Sequence, residues 1–442
     1  MADHAISADP AVQAQLDRLG TLSPGADILG LDRIGRLLAA LGDPQQRLPP
    51  VFHVAGTNGK GSTCAFLRAA IEAAGLTCHV YTSPHLVRFN ERIRIAGRLI
   101  GDAELAALLS EVLDHAGEIG PSFFEVTTAA ALLAFSRQPA DAAIIEVGLG
   151  GRLDATNVID HPLICGIAQL GLDHQAFLGN TVPDIAAEKA GIAKAGIPLV
   201  TMHYPASVAN RIGMIAGDVG ATWLAKGGAW DAAVYQGELH YRDAGGRLDL
   251  PLPRLPGAHQ AMNAALAIAM LRHQTRLIVP PSALRAALGW ADWPARLQRL
   301  GDGPLVRLLP PGSELWLDGG HNPAAARVVA DHLHASVSAG RPLHIVLGLM
   351  ENKDATGVLH AFAQRPIAVT AVPVPGHPHH APSALSQVAR SAGLLADVAD
   401  DVGSALNRIG RQADHANPPI VLVAGSLYLA GAVLAANETI PH

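Results

Sequence analysis

Short runs of β-branched and other apolar residues alternate with Ala- and Leu-rich stretches along almost the whole chain. In the first part, residues 51–55, 143–147, 164–168 and 198–202 read as strands, and 63–74, 102–116 and 127–136 as helices. Strands that alternate with helices require crossover connections, so the chain is expected to be α/β with a mainly parallel sheet. Residues 229–255 break the pattern. They alternate polar and apolar and contain Ala244-Gly245-Gly246, which reads as a hairpin or small antiparallel element. A helix over 260–272 follows. A second α/β series starts near Leu305, with strand candidates at 315–318, 344–347, 367–371 and 420–424. The expected organisation is an N-terminal domain, 1–298, and a smaller Rossmann-like α/β domain, 299–442.

Composition narrows the function classes. Hydrophobic residues make up 49% of the 442 and charged residues 16%, which excludes a solvating, disordered chain. The net charge of −6 gives no reason to expect a nucleic-acid partner. Three cysteines with no CxxC pair argue against a disulfide framework or zinc ribbon, and a reducing cytoplasm is the expected location. The N-terminus shows no basic segment followed by an apolar run, so no secretory signal is read there. The uncharged stretch 420–436 reads as strand, Gly425-Ser426 turn and helix rather than as a membrane span.

The strongest local signal is the strand 51–55 followed by Gly56-Thr57-Asn58-Gly59-Lys60-Gly61-Ser62 and a helix. Glycines let backbone N–H groups approach phosphate oxygens, and a helix N-terminus adds partial positive charge. Lys60 supplies a point charge, and the Ser62 hydroxyl suits a phosphate or a metal. The spacing is not a strict Walker A motif, which needs Gly at 54 and Ser or Thr at 61, where this chain has Val54 and Gly61. Glu146 ends an apolar strand, so it reads as a hard oxygen ligand for magnesium or as a carboxylate bonded to the loop. His174 alone reads as structural, and Lys189 as a solvated charge. Gly148-x-Gly150 fails as a dinucleotide fingerprint because Leu153 stands at the third position. The run His377-Pro378-His379-His380 reads as a solvated loop. Asn352-Lys353-Asp354 fails as a guanine motif because Ala355 stands where Asp is needed.

The wording of the loop resembles the dihydrofolate synthase/folylpolyglutamate synthase family of the Mur ligase superfamily. The resemblance continues in order through Tyr81-Thr82-Ser83-Pro84-His85, the stretch from Glu146 to Asn157, Gly171-Leu172-Asp173-His174, Glu188-Lys189-Ala190-Gly191, His259-Gln260-x-x-Asn263, Pro294-Ala295-Arg296, Asp318-Gly319-Gly320-His321-Asn322 and Gly425-Ser426. Two positions depart from the family: Ala295 and Gly320 stand where it usually has Gly and Ala.

The resemblance implies an ATP-dependent ligase. It adds L-glutamate to dihydropteroate, or to the glutamyl tail of a folate, through an acyl phosphate. Ser83, Glu146 and His174 are implied as magnesium ligands, with Ser62 a weaker one. Lys189 is implied to be carbamylated and to hold a second magnesium. Thr57, Asn58, Gly59, Lys60 and Gly61 are implied to contact ATP, with Asn263, and with Arg296 and Asp318 of the second domain. Ile28, Leu29, Gly30, Ser122, Phe123, Phe124, Glu125, Leu153, Asp154 and Ala155 are implied to form the pterin pocket. There Phe124 either stacks on the flat ring or is an ordinary core residue. His321 and Ser426 are implied for glutamate. The expected partners are small molecules only, and the expected state is a monomer. Two alternatives remain at this stage: a cell-wall Mur-type peptide ligase and a P-loop nucleotide switch.

Overall fold

The computed structural model describes residues 5–22, 29–337, 340–363 and 367–441; Ile28 lies outside them. The chain divides into two compact units, Met1–Arg254 with Gln260–Asp292, and Leu255–His259 with Trp293–His442.

The first unit is built on an eight-stranded sheet. Its strands are β1 Val51–Ala55, β2 Cys78–Tyr81, β3 Ile93–Ile95, β4 Arg98–Leu99, β5 Ala142–Glu146, β6 Ile164–Ile167, β7 Pro198–Thr201 and β8 Thr222–Ala225, in the order β4-β3-β2-β5-β1-β6-β7-β8. The six strands from β2 to β8 in that order run parallel, and β3 and β4 form an antiparallel edge. Strands β1 and β5 are buried at every position, as expected of parallel strands covered on both faces. A large core joins Ile34, Leu37, Leu109, Val112, Leu132 and Phe135 of the flanking helices to Val51, Ala143 and Ile145 of the sheet. The chain moves to one side of β1 to form β2 and β5 and to the other for β6. This places the order reversal beside β1, where open α/β sheets bind ligands at the strands' carboxyl ends.

The small β element has three antiparallel strands, β9 Trp230–Tyr235, β10 Glu238–Asp243 and β11 Gly246–Pro251. The first turn uses Gln236 (φ 51°) and Gly237 (φ 79°), a two-residue turn with both central residues left-handed. The second turn, at Ala244-Gly245, is the one expected from the sequence. Trp230 and Tyr241 stack with centroids 6.0 Å apart on the buried face.

The second unit carries a six-stranded sheet. Its strands are β12 Gln298–Arg299, β13 Glu314–Asp318, β14 Leu343–Leu347, β15 Ile367–Ala371, β16 Leu395–Val398 and β17 Ile420–Ala424, in the order β12-β13-β17-β14-β15-β16. All are parallel except β12. The uncharged stretch at 420–436 is β17, a turn, and the helix Leu427–Ala436. Among the described residues no helix is long and apolar enough to cross a membrane.

Two sequence expectations need correction. The helix expected from 127 starts at Phe123, because Ser122 and Glu125 form a capping box. The Ser122 amide donates to Glu125 Oε2 at 2.6 Å, and the Glu125 amide donates to Ser122 Oγ at 3.3 Å. The His377–His380 segment is packed rather than solvated. His377 stacks on Tyr428 with centroids 3.7 Å apart, and His380 Nε2 lies 2.9 Å from the Lys353 carbonyl.

Candidate active site

The carboxyl ends of β2, β5, β1 and β6 lie side by side, and each continues into one of the motifs. Strand β2 leads to Ser83, β5 ends on Glu146, β1 runs into the glycine loop, and β6 leads to Asp173 and His174.

The loop is fastened on one side. The amides of Thr57 and Asn58 both donate to the Gln169 carbonyl, at 2.9 and 3.0 Å. The Thr57 hydroxyl donates to the Gly171 carbonyl at 3.1 Å and accepts from the Gly171 amide at 3.2 Å. Two amides expected to meet phosphate are therefore engaged within the protein. The amides of Lys60, Gly61 and Ser62 precede the first bond of the helix Lys60–Ala73, from the Thr63 amide to the Gly59 carbonyl at 2.9 Å. Such first-turn amides have no intrahelical acceptor and suit an anion. Lys60 Nζ donates back to the Gly56 carbonyl at 3.1 Å, which holds the cation over its own loop.

Asn263 closes the other side. A Cβ at Gly59 would collide with Asn263 Oδ1, and Asn263 Nδ2 donates to Gln260 Oε1 at 3.0 Å. Both side chains are buried on the helix Ala258–His273.

Glu146 is 4% exposed at the end of β5 and pairs in register with Val54. Burial, reinforced by the Glu146 charge, pushes the Cys64 thiol well above its ordinary value, which sets the carboxylate near the helix that follows the loop. Lys189 is 4% exposed, the opposite of a solvated charge. Burial first, then the Lys60 charge, lowers its amine from 10.5 to about 7, against the pull of Asp173 and Asp154. His174 is exposed at a left-handed φ of 50°, and its amide donates to Asp173 Oδ1 at 2.9 Å. Among the described residues, no group of three or more His, Cys, Asp or Glu side chains is gathered for a metal. The implied set of one hydroxyl, one carboxylate and one imidazole still has the oxygen-rich donor chemistry that suits magnesium or manganese.

The loop after β5 packs closely on its neighbours. A Cβ at Gly148 would enter the Phe124 ring, and one at Gly151 would meet the Lys189 backbone, 3.0 Å from its Cα. Phe124 is half-buried and lies 6.1 Å from Tyr81, centroid to centroid. Phe123 is core, edge-on to Phe89, with the Arg92 guanidinium 5.5 Å above it. Arg152 donates to Glu188 Oε1 at 2.9 Å through Nη2, which joins this loop to the helix Val182–Ala190. Asp154 is buried and braces the loop, accepting from the Leu149 amide at 2.7 Å, the Thr156 amide at 3.0 Å and the Thr156 hydroxyl at 2.6 Å. Burial raises its carboxyl against those bonds. Leu153 is half-buried and Ala155 buried beside it, and Leu29 and Gly30 are half-buried. Glu125 is held by its capping box and by Arg33 Nε at 3.0 Å.

The second unit has its own polar group after β13 and β17. Asp318 is buried and accepts from the Leu297 amide at 2.8 Å and the Gly320 amide at 2.7 Å. Burial raises its carboxyl against the pull of Arg296. Arg296 Nη1 donates to the Ala295 carbonyl at 3.0 Å. His321 Nδ1 lies 3.0 Å from the Gly319 carbonyl, and Ser426 caps the helix Leu427–Ala436 by accepting from the Tyr428 amide at 3.1 Å.

Over 419 residues the chain is 36% identical to folylpolyglutamate synthase of Lacticaseibacillus casei, covering 91% of this chain and 92% of that one. The chain belongs to the folylpolyglutamate synthase/dihydrofolate synthase family. Dihydrofolate synthetase of Saccharomyces cerevisiae is 32% identical over 92% of this chain and 97% of its own. The family model for the dihydrofolate synthetase C-terminal domain matches residues 310–436. Among solved structures, E. coli FolC in complex with DHPP and ADP superposes with a TM-score of 0.86 at 32% identity, covering 98% of both chains. A bifunctional folylpolyglutamate synthase/dihydrofolate synthase with Mn, AMPPNP and L-glutamate bound gives 0.83 at 33%, covering 97% of this chain and 98% of that one. Against this family background, the structure adds residues that the sequence reading passed over. They are Gln169, which fastens the loop, and His53 behind Asp154; Gly171, Gln260 and Thr156, present in the sequence only as parts of motifs, gain contacts to Thr57, Asn263 and Asp154.

Proposed function

We propose that this chain joins L-glutamate to the carboxylate of dihydropteroate, or to the glutamyl tail of a folate, at the expense of ATP. The observation that carries the reading is the anion-suited helix start at Lys60–Ser62, flanked by Asn263, Glu146 and the buried Lys189. A carboxylate is a poor acyl donor. Its oxygen attacks the γ-phosphorus of ATP, the bond to ADP breaks, and an acyl phosphate forms. The glutamate amine then attacks the acyl carbon, and inorganic phosphate leaves from the tetrahedral intermediate. The first step needs alignment and neutralised charge rather than a protein nucleophile. Lys60 and the amides of Gly61 and Ser62 supply fixed positive charge to the phosphates.

Ser83, Glu146 and His174 are the residues that would hold a divalent cation, which when bound neutralises charge on the transferring phosphoryl group. An amine brought to about 7 is substantially neutral at physiological pH, so Lys189 is suited to attack carbon dioxide. An N–C bond forms as one C–O π bond of carbon dioxide opens, a proton leaves the nitrogen, and the neutral amine becomes an anionic oxygen donor fit for a second metal site. Phe124 against Gly148, with Leu29, Gly30, Leu153, Asp154 and Ala155, is assigned to the acceptor. Arg296 and Asp318 are assigned to the nucleotide, and His321 and Ser426 to glutamate. A monomer is the proposed state. The three cysteines are free and buried, which suits a reducing cytoplasm.

The test is ADP release with magnesium, ATP and L-glutamate, comparing dihydropteroate with tetrahydrofolate and weighing the products. Products one glutamyl unit heavier from both acceptors establish a bifunctional ligase; from one, a monofunctional ligase. ADP release indifferent to either acceptor overturns the reading.

A further inference from the structure

Strand β1 is apolar except at its centre. His53 lies between Phe52 and Val54, is fully buried, and pairs in register with Ile145 and Cys165 of the adjoining strands. Its Nε2 lies 2.8 Å from Thr156 Oγ1, while its Nδ1 is buried with no hydrogen-bond partner. Thr156 Oγ1 in turn donates to Asp154 Oδ1 at 2.6 Å. These contacts fix a direction. Because the Thr156 proton goes to Asp154, its oxygen accepts from His53, so the imidazole is the neutral tautomer protonated at Nε2. Burial, with help from Lys194, keeps it neutral by lowering its pKa to about 3. A neutral, half-satisfied imidazole is a poor filler for an apolar strand, and its one side-chain hydrogen bond runs to Thr156.

We propose that His53 is a positioning residue for the acceptor side of the reaction. Through Thr156 it aims and stiffens the Asp154 carboxylate, which also accepts from the Leu149 amide of the glycine loop that touches Phe124. The same strand runs three residues on into the phosphate loop, so His53 ties the acceptor loop to the nucleotide loop through one rigid element. This inference rests on the assignment of Asp154 to the acceptor pocket.

The experiment measures KM separately for dihydropteroate and ATP in His53→Leu, Thr156→Val, their double variant and Asp154→Asn. Loss of one buried hydrogen bond corresponds to roughly a tenfold change in the parameter it controls. His53→Leu and Thr156→Val should each raise the dihydropteroate KM about tenfold, leave the ATP KM within about twofold, and combine to no more than either alone. His53→Gln, whose Nε2 can stand near the imidazole Nε2, and Thr156→Ser should recover most of the loss. Equal shifts in both KM values, additive effects, or no recovery by the conservative variants would make the role merely structural and overturn the proposal. A changed dihydropteroate KM in Asp154→Asn with none in the His53 and Thr156 variants defeats the proposal alone. An unchanged one in Asp154→Asn defeats the Asp154 assignment, and the proposal with it.

Discussion

The side chain of Asn263 occupies the space where Gly59 would carry a β-carbon. Gly59 also has a φ of 85°, which a residue with a β-carbon adopts at a penalty of roughly 1–2 kcal/mol. Gly59→Ala should therefore lose about 2 kcal/mol of stability in urea unfolding and raise the ATP KM at least tenfold. Adding Asn263→Ala should relieve the collision and return part of the stability without restoring ATP affinity. Full recovery of ATP affinity in that pair would show that Asn263 serves the loop only by filling space.

Lys60 is half-buried and bonds only to its own loop, so Lys60→Ala should unfold at nearly the wild-type urea midpoint. Its ligation rate should fall by about two to three orders of magnitude, the usual scale for one lost charge-stabilising donor. A rate within tenfold of wild type would remove Lys60 from the phosphate site.

Lys189 gives a pH signature with a definite sign. Its folded pKa, about 7, lies below the ordinary 10.5, so between those values the unfolded chain holds a proton that the folded chain does not. Stability should rise with pH across that window, and the penalty for burying the ammonium is fully present below it. Urea unfolding in metal-free, carbon-dioxide-depleted buffer should show this slope, and Lys189→Met should lack it. With labelled bicarbonate near pH 8, carbon NMR should show one carbamate resonance that Lys189→Met abolishes. Its persistence in that variant would place the carbamate elsewhere.

By the family resemblance Gly is expected at position 295, where this chain has Ala295 at a φ of 56°. Leu297, two residues on, is also left-handed at 46°, so a strained non-glycine residue stands on each side of Arg296. Ala295→Gly should stabilise the protein by up to about 1 kcal/mol, because relief of the left-handed strain exceeds the added entropy of the unfolded chain. A destabilised variant would show that the Ala295 methyl, which is buried, packs for more than its backbone loses.

Strands β1, β15 and β17 end where apolar periodicity places them, and the phosphate loop is legible from its glycines and Lys60. What stayed hidden was carried by contacts across sequence. Lys189 looks solvated in a charged pair with Glu188, and its burial, 4% exposed, comes from packing that no local pattern shows. The fastening of Thr57 spans more than a hundred residues to Gln169 and Gly171, and no local pattern announces it. The Ser122–Glu125 capping box was legible, since its four-residue spacing is a helix-start signal. The residues implied for the pterin pocket thus also start the helix Phe123–Arg137.

The helix that carries Gln260 and Asn263 is anchored near its far end by Arg272. Its Nε and Nη2 each donate to Asp243 at 2.6 Å, and Tyr241 and the Gly245 amide donate to the same carboxylate at 3.0 and 2.8 Å. Burial raises that carboxyl, but the Arg272 and Tyr241 bonds outweigh it and hold it below the ordinary range. Its contribution to stability is therefore present above the usual carboxylate pKa and is lost as pH falls through the lower folded value. Asp243→Ala leaves a guanidinium only 19% exposed at its side chain without its counter-charge, so it should cost about 3 kcal/mol at neutral pH. The acid-side slope of stability should flatten in the same variant. Adding Arg272→Met should return much of the loss, because the stranded charge, rather than the missing attraction, is the larger part of the penalty. The ATP KM should change less than twofold in the double variant, since Asn263 is also held by Gln260 and by its contact with Gly59. A larger change would mean that the helix reaches the phosphate loop in register only while Asp243 holds its other end.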